Sequence, residues 1–266
     1  MDKMEIAMQE HLVGFIDILG FGSQVMAAKD KVKFQKVYET VKLVQAAFDK
    51  PSATEHPEMQ EATNTHWGVK VLALSDSVVV AINPNCPVLP HMGPSDFLGD
   101  SIYGLAQSQY DCILGHGIFL RGGLGVGPFL FDNDILVSPA QVEAYYVESK
   151  YAEMPVIALC QKTVDWIKAH SQGPTGVPKW QDKYFRPLQT KTYRESLYFL
   201  DYLRVVIDDA EDDPFSPLST HKSRIEAGLS GSKSKDKYEW LAKYHNDTID
   251  TICPAAKSEK IILGKT

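Results

Sequence analysis

The ten residues from His11 to Gly20, HLVGFIDILG, carry a single charge, Asp17, inside an otherwise apolar run. The run is too short for a free-standing helix and ends in the turn Gly20-Phe21-Gly22, so it is predicted to be a buried strand. Removing an isolated carboxylate from water costs roughly several kcal/mol or more. Whatever this chain folds into must therefore bring a partner or a cation to Asp17.

The flanking pattern supplies the rest of a sheet. Apolar residues between Ser23 and Asp49, among them Val25, Met26, Val32, Val37, Val41, Val44 and Phe48, recur near helical spacing and predict one or two helices. Residues 50–65 are a polar, proline-bearing loop. Trp67 to Ile82 reads as two strands joined at Ser75-Asp76-Ser77, which makes a hairpin with an acid at its tip. A helix is expected from Ser95 to Leu114, a glycine-rich strand from His116 to Val126, a helix from Gln141 to Met154, and a short strand and helix from Pro155 to Ala169. This order predicts an α+β, ferredoxin-like sheet with helices on one face. Residues 11–170 are read as the main domain and 171–266 as a largely helical C-terminal extension, closed by helices at Ser219–Leu229 and Asp236–Ile252.

Composition narrows the function. The chain has 266 residues and a formal charge of −7, with no basic cluster beyond the scattered Lys233, Lys235 and Lys237, so neither nucleic acid nor an anionic membrane is an expected partner. The N-terminus lacks an apolar leader and no apolar run approaches the roughly 20 residues that span a bilayer, which points to a cytosolic protein. Cys86, Cys112, Cys160 and Cys253 form no C-x-x-C pair and read as buried thiols. Dispersed histidines give no H-E-x-x-H, and Gly20-Phe21-Gly22 and Gly123-Leu124-Gly125 complete neither a dinucleotide fingerprint nor a P-loop.

Asp17 and Asp76 could converge with no obvious basic partner nearby, and converging carboxylates suit hard cations. An N-cap, a turn-stabilising aspartate or a buried hydrogen-bonded acid are the other readings. Arg121 at a strand start could reach phosphate or could be structural. Tyr146 could stack on a substrate or simply pack.

Phe15-Ile16-Asp17-Ile18-Leu19-Gly20-Phe21 resembles the F-x-D-I-x-G-F signature of class III adenylyl and guanylyl cyclases. Asp76 stands where that family has its second metal-binding aspartate, Arg121-Gly122-Gly123-Leu124-Gly125 is similar to its R-x-G-I-x-x-G strand, and Ala144-Tyr145-Tyr146-Val147-Glu148 to its A-x-R-M-E helix. The resemblance covers residues 11 to 165. It implies two divalent ions, Mn2+ or Mg2+, held by Asp17, Asp76 and the Ile18 carbonyl. It also implies a nucleoside triphosphate at Phe15, Gly20, Phe21, Gly22, Leu72 and Arg121, Tyr146 near the reacting groups, and a site shared across a homodimer.

Leu72 occupies the position of the purine-reading lysine, Lys70 is expected in a different register, and Val142 and Tyr146 replace the transition-state Asn and Arg. With its C-terminal Lys-Tyr-x-Trp-Leu-x-x-Tyr-His-Asn run the chain resembles the bacterial pyrimidine cyclases of the Pycsar antiphage systems. That likeness implies UTP as substrate and cyclic UMP as a messenger to a separate effector. Cyclic CMP synthesis, or a non-catalytic nucleotide sensor, are the alternatives it leaves.

Overall fold

The computed structural model describes residues 9–49, 65–132, 134–172, 180–190, 196–210, 213–231 and 234–263. In chain order the elements are β1 (Glu10–Ile18), α1 (Phe21–Ala27), α2 (Lys31–Phe48), β2 (Val69–Leu74), β3 (Ser77–Ile82), α3 (Leu89–Met92), α4 (Pro94–His116) and β4 (Leu120–Pro128). A small hairpin follows, β5 (Leu130–Asp132) with β6 (Ile135–Val137), then α5 (Pro139–Tyr146) and a π-helical turn at Val147–Tyr151. The remainder is β7 (Ile157–Cys160), α6 (Gln161–His170), α7 (Trp180–Tyr184), β8 (Phe185–Leu188), β9 (Leu197–Leu200), α8 (Tyr202–Asp209), α9 (Phe215–Gly231) and α10 (Lys235–Thr251). Most of the loop expected at 50–65 lies outside the described residues.

Strands β2-β3-β1-β4 are antiparallel neighbours in that spatial order, with helices after β1 and after β3. This is the ferredoxin-like core that the order of elements predicted. β7 then joins β4 in parallel, and β9 and β8 extend the same sheet to seven strands. The segment beyond α6 is mostly helical, as expected, and its two short strands complete the sheet. Pro187 sits in β8 at the sheet edge, where its missing N–H breaks no ladder bond.

Strand alternation sorts β1 into two faces. Leu12, Ile16 and Ile18 enter the main core with α2, α4, α6 and the C-terminal helices, while Val13 and Phe15 belong to a smaller cluster with Val79, Ala81 and Ala140. Asp17 shares that second face. Helices therefore cover both sides rather than one, because α5 lies across β4 and β1. Gly123 and Gly125 permit this: a Cβ on Gly123 would stand 2.7 Å from the Glu148 amide nitrogen, and one on Gly125 would stand 2.8 Å from that of Ala144. Close packing is thus the role of this glycine run. On the α1–α2 side, Val25, Met26 and Val32 signalled helix but are exposed, and Val44 and Phe48 carry the burial.

The C-terminal helices are fastened by buried polar groups. Glu259 contributes only a carbonyl oxygen to His245 Nε2 at 2.9 Å, so that nitrogen carries hydrogen and His245 Nδ1 accepts. His221 Nδ1–H therefore donates to His245 Nδ1 at 3.0 Å, and its Nε2 accepts from the Tyr202 hydroxyl at 2.9 Å. Burial holds both imidazoles below the ordinary histidine range, at His245 against the opposing pull of the Glu259 carbonyl. In this direction the chain of bonds is complete with both rings neutral, and burial disfavours the charged alternative. Since an unfolded histidine protonates near pH 6.5, the unfolded state binds the extra protons, so this contribution to stability is full above that pH and falls as pH drops below it. Ring-nitrogen NMR is expected to show both imidazoles neutral in the folded protein at pH 5.5. Ordinary titration near 6.5 would contradict the relay.

All four cysteines are buried and free. Among the described residues no helix is long and apolar enough to cross a membrane.

Candidate active site

Asp17 lies opposite Ser77 on β3 and Arg121 on β4, near the end of β1. Ser77 follows the two-residue turn Ser75-Asp76, so the register itself sets Asp76 beside Asp17. Ser75 adopts φ 59°, a left-handed conformation unfavourable for a residue with a Cβ, and local strain of this kind gathers at functional turns. The two acids that the strand and hairpin readings selected are brought together.

The expectation that they lack a basic partner is corrected. Arg121 Nη2 stands 3.5 Å from Asp17 Oδ2 and is also paired with Glu148, whose residue is 3% exposed. Glu148 is delivered by the π-helical turn that follows α5, which inserts an extra residue per turn and directs the side chain onto β4. One guanidinium thus faces two carboxylates, and the charge of a third, Asp76, is felt by both of them. Burial, followed by the charge of Glu148, pushes the Asp17 carboxyl up to about 6 against the opposing pull of Arg121; Asp76 adds to the rise and the Ile18 N–H, donating to the carboxylate, lowers it. Burial likewise raises Glu148, with Arg121 opposing.

This excess of negative charge is the test of whether a metal fits, and it does. Among the described residues no three His, Cys, Asp or Glu side chains close a metal cage by themselves. Magnesium-type ions commonly take only one or two carboxylates and fill their remaining positions from substrate phosphates and water. Asp17 and Asp76 are the two carboxylates here that could hold such an ion.

Gly20 has φ 77° and caps α1 in the left-handed conformation, with no side chain covering the first helical N–H groups. Phe21 is buried as an anchor of this turn, while Gly22 is exposed with open space around it. Ile18 is buried in the main core. Leu72, Val79 and Phe15 form one row across β2, β3 and β1, so Leu72 does share the face of Asp17. Lys70 lies on that same face, one alternate position away, contrary to the expectation that it points elsewhere; its ammonium sits 4.5 Å over the Phe131 ring. Tyr145 packs edge-on to Phe15 at 5.4 Å, and Tyr146, half exposed, neighbours Tyr145 at 6.0 Å. Tyr146 therefore belongs to the aromatic wall beside the cluster.

Two side chains were not singled out from sequence as site residues. Glu148 appeared only as the end of a helix motif, and its placement depends on the π turn. Lys237 comes from the start of α10, and its charge is felt at both Asp17 and Glu148.

No protein-family model matches the chain, and no curated protein matches it. It is similar in structure to the catalytic core of a rhodopsin-guanylyl cyclase with converted specificity in complex with ATPalphaS, at 18% identity and a TM-score of 0.45 over 73% of this chain and 96% of that one. It is also similar to the adenylyl cyclase CyaB from P. aeruginosa, at 13% identity and a TM-score of 0.46 over 73% and 96%. A third is the monomeric guanylyl cyclase domain of the RhoGC fusion protein from the aquatic fungus Blastocladiella emersonii, at 19% identity and a TM-score of 0.44 over 73% and 95%. At such identity and overlap, function has to be argued from the site's own residues.

Proposed function

We propose that this chain is a nucleotidyl cyclase of the class III type that converts a pyrimidine nucleoside triphosphate, UTP foremost, to its 3′,5′-cyclic monophosphate and pyrophosphate. The observation that carries this reading is the placement of Asp17 beside Asp76 in a cluster whose negative charge exceeds what Arg121 offsets. In the reaction the ribose 3′-oxygen bonds to the α-phosphorus, the bond from that phosphorus to the bridging oxygen breaks, pyrophosphate departs and the hydroxyl proton passes to solvent.

Two divalent ions held by Asp17 and Asp76 would supply charge neutralisation on the phosphates and a lowered pKa for the attacking hydroxyl. The chain's own groups set the geometry. Arg121 holds Asp17 and Glu148 in fixed positions, so the acids need no reorganisation when substrate binds. The turn at Gly20-Phe21-Gly22 leaves backbone N–H groups available to phosphate oxygens.

We infer the base choice from the wall. Leu72, Val79 and Phe15 offer an apolar row, the ammonium of neighbouring Lys70 is drawn onto the Phe131 ring, and Tyr145 leaning on Phe15 narrows the surface, which suits a single-ring base better than a purine. Leu74, Val142, Tyr145 and Tyr146 are exposed large hydrophobic residues, and an apolar surface of this kind supports a homodimer with sites at the interface. The cyclic nucleotide would act as a messenger on a separate effector, in keeping with the likeness to antiphage cyclases.

With Mn2+ and each of the four triphosphates in turn, initial rates of pyrophosphate release are expected to favour UTP by about tenfold or more over ATP and GTP, with CTP intermediate. Purine turnover equal to that of UTP would overturn the base assignment. Sedimentation showing a fully active monomer would overturn the shared site.

A further inference from the structure

Lys237 lies in the first turn of α10, in the segment beyond the cyclase-like residues 11–165, yet the charges of Asp17, Arg121 and Glu148 on β1, β4 and the π turn are felt at its ammonium. Its neighbour Tyr238 explains how. The Tyr238 ring stands edge-on to Phe119 at 5.3 Å and lies against Gly228, where a Cβ would collide with it. Phe119 precedes β4, and its carbonyl accepts the Leu19 N–H at 2.9 Å just beyond β1. The ends of β1, β4 and α10 are thus tied at one point, with Lys237 the residue next to the tie.

The two cations near the cluster differ in commitment. Arg121 is engaged by both Glu148 and Asp17, whereas none of the ion pairs among the described residues includes Lys237. Burial and the neighbouring guanidinium of Arg121 push the pKa of this half-buried ammonium down, and the charges of Asp236, Asp17 and Glu148 offset that only in part. A polyanion arriving at Asp17 and Asp76 reverses that balance. Lysine serves such a ligand as a compact point charge with three donors, which suits the spread charge of a triphosphate tail.

We propose that Lys237 is a substrate-binding residue supplied in cis by the C-terminal segment, its ammonium pairing with the triphosphate of the nucleotide held at Asp17 and Asp76. This rests on the cyclase reading above, and it gives the C-terminal segment a direct part in the site. The cationic position lost at Tyr146 is thereby offset from a different element.

The test compares wild type with Lys237→Met, Lys237→Gln and Lys237→Arg. Two measurements are made: KM and kcat for UTP with Mn2+, and calorimetric binding of manganese tripolyphosphate, which requires no turnover. Loss of a charged pair is expected to raise KM and weaken tripolyphosphate binding by about tenfold or more in the Met and Gln variants, with Arg within a few-fold of wild type and Tm unchanged in all three. Unchanged tripolyphosphate affinity in Lys237→Met or Lys237→Gln, losses only in variants whose Tm also falls, or no tripolyphosphate binding by wild type would overturn the assignment. A wild type that binds tripolyphosphate through Lys237 but releases no pyrophosphate from any nucleotide would sink the cyclase reading and leave the Lys237 assignment standing.

Discussion

Replacing Asp17 with asparagine is expected to lower cyclase turnover on the order of a thousandfold or more while making the protein more heat-stable. On the proposed reading, the loss follows from removing one of the two carboxylates that would hold the divalent ions, since electrostatic stabilisation of the phosphates is the main contribution such a site makes. The gain follows from the cluster's own repulsion. Asp17 is partly buried with Glu148 and Asp76 as neighbours, and its carboxyl is pushed up from 3.8 to about 6. A carboxyl whose folded pKa exceeds its unfolded value favours folding when protonated, and that advantage is lost as pH rises through the window between the two values. At pH 7.5 the ionised Asp17 therefore weighs against the fold, and asparagine relieves it while Arg121 keeps Glu148. Asp76→Asn is expected to lose activity comparably. Steady-state rates with Mn2+ and calorimetric melting at pH 7.5 check both halves, and an active Asp17→Asn enzyme, or one less stable than wild type, contradicts this account.

The second large effect is structural. Gly123→Val is expected to destabilise the protein by about 3 kcal/mol or more, because its side chain has no space between β4 and the backbone of Ala144 and Glu148. The strand and α5 are joined through backbone on one side and cannot yield by rotating a side chain. Any surviving folded protein would have the π turn displaced and Glu148 drawn off Arg121, so activity should fall with stability. Gly104→Ala is the matched control. That glycine is helical with open space around its Cα, and alanine there should leave stability unchanged or raise it by up to about 1 kcal/mol. Urea midpoints that place the two variants together would refute the packing argument.

The parts of the molecule that could be read from the chain are those encoded locally. Asp17 was conspicuous because a lone charge interrupts an apolar strand, and Asp76 because a polar turn separates two β-branched runs. Together with the βαββαβ order, they were enough to expect the sheet and the pair of acids at its end. What escaped was set by contacts distant in sequence. Arg121 was considered for phosphate, but its engagement by Asp17 and Glu148 depends on strand register and on a π turn that helical periodicity does not signal. β8 and β9 are four residues each, too short to show alternation, and a proline inside FRPL argues against a strand until its edge position is known. Trp240 and Tyr244 pack on Phe199, with Tyr244 also donating its hydroxyl to Asp201 at 2.6 Å, contacts that join elements far apart in sequence. Lys237 could not be connected to Asp17 by any local rule, because it is the docking of Tyr238 on Phe119 that brings the start of α10 near the end of β1.

The central claim is that Asp17 and Asp76 direct a single chemical outcome on a nucleoside triphosphate. Purified protein incubated with UTP and Mn2+, quenched with chelator and resolved by mass spectrometry, should yield 3′,5′-cyclic UMP and pyrophosphate in equal amounts, with neither formed by Asp17→Asn. UDP with inorganic phosphate as the products, or cyclic product undiminished in Asp17→Asn, would contradict it.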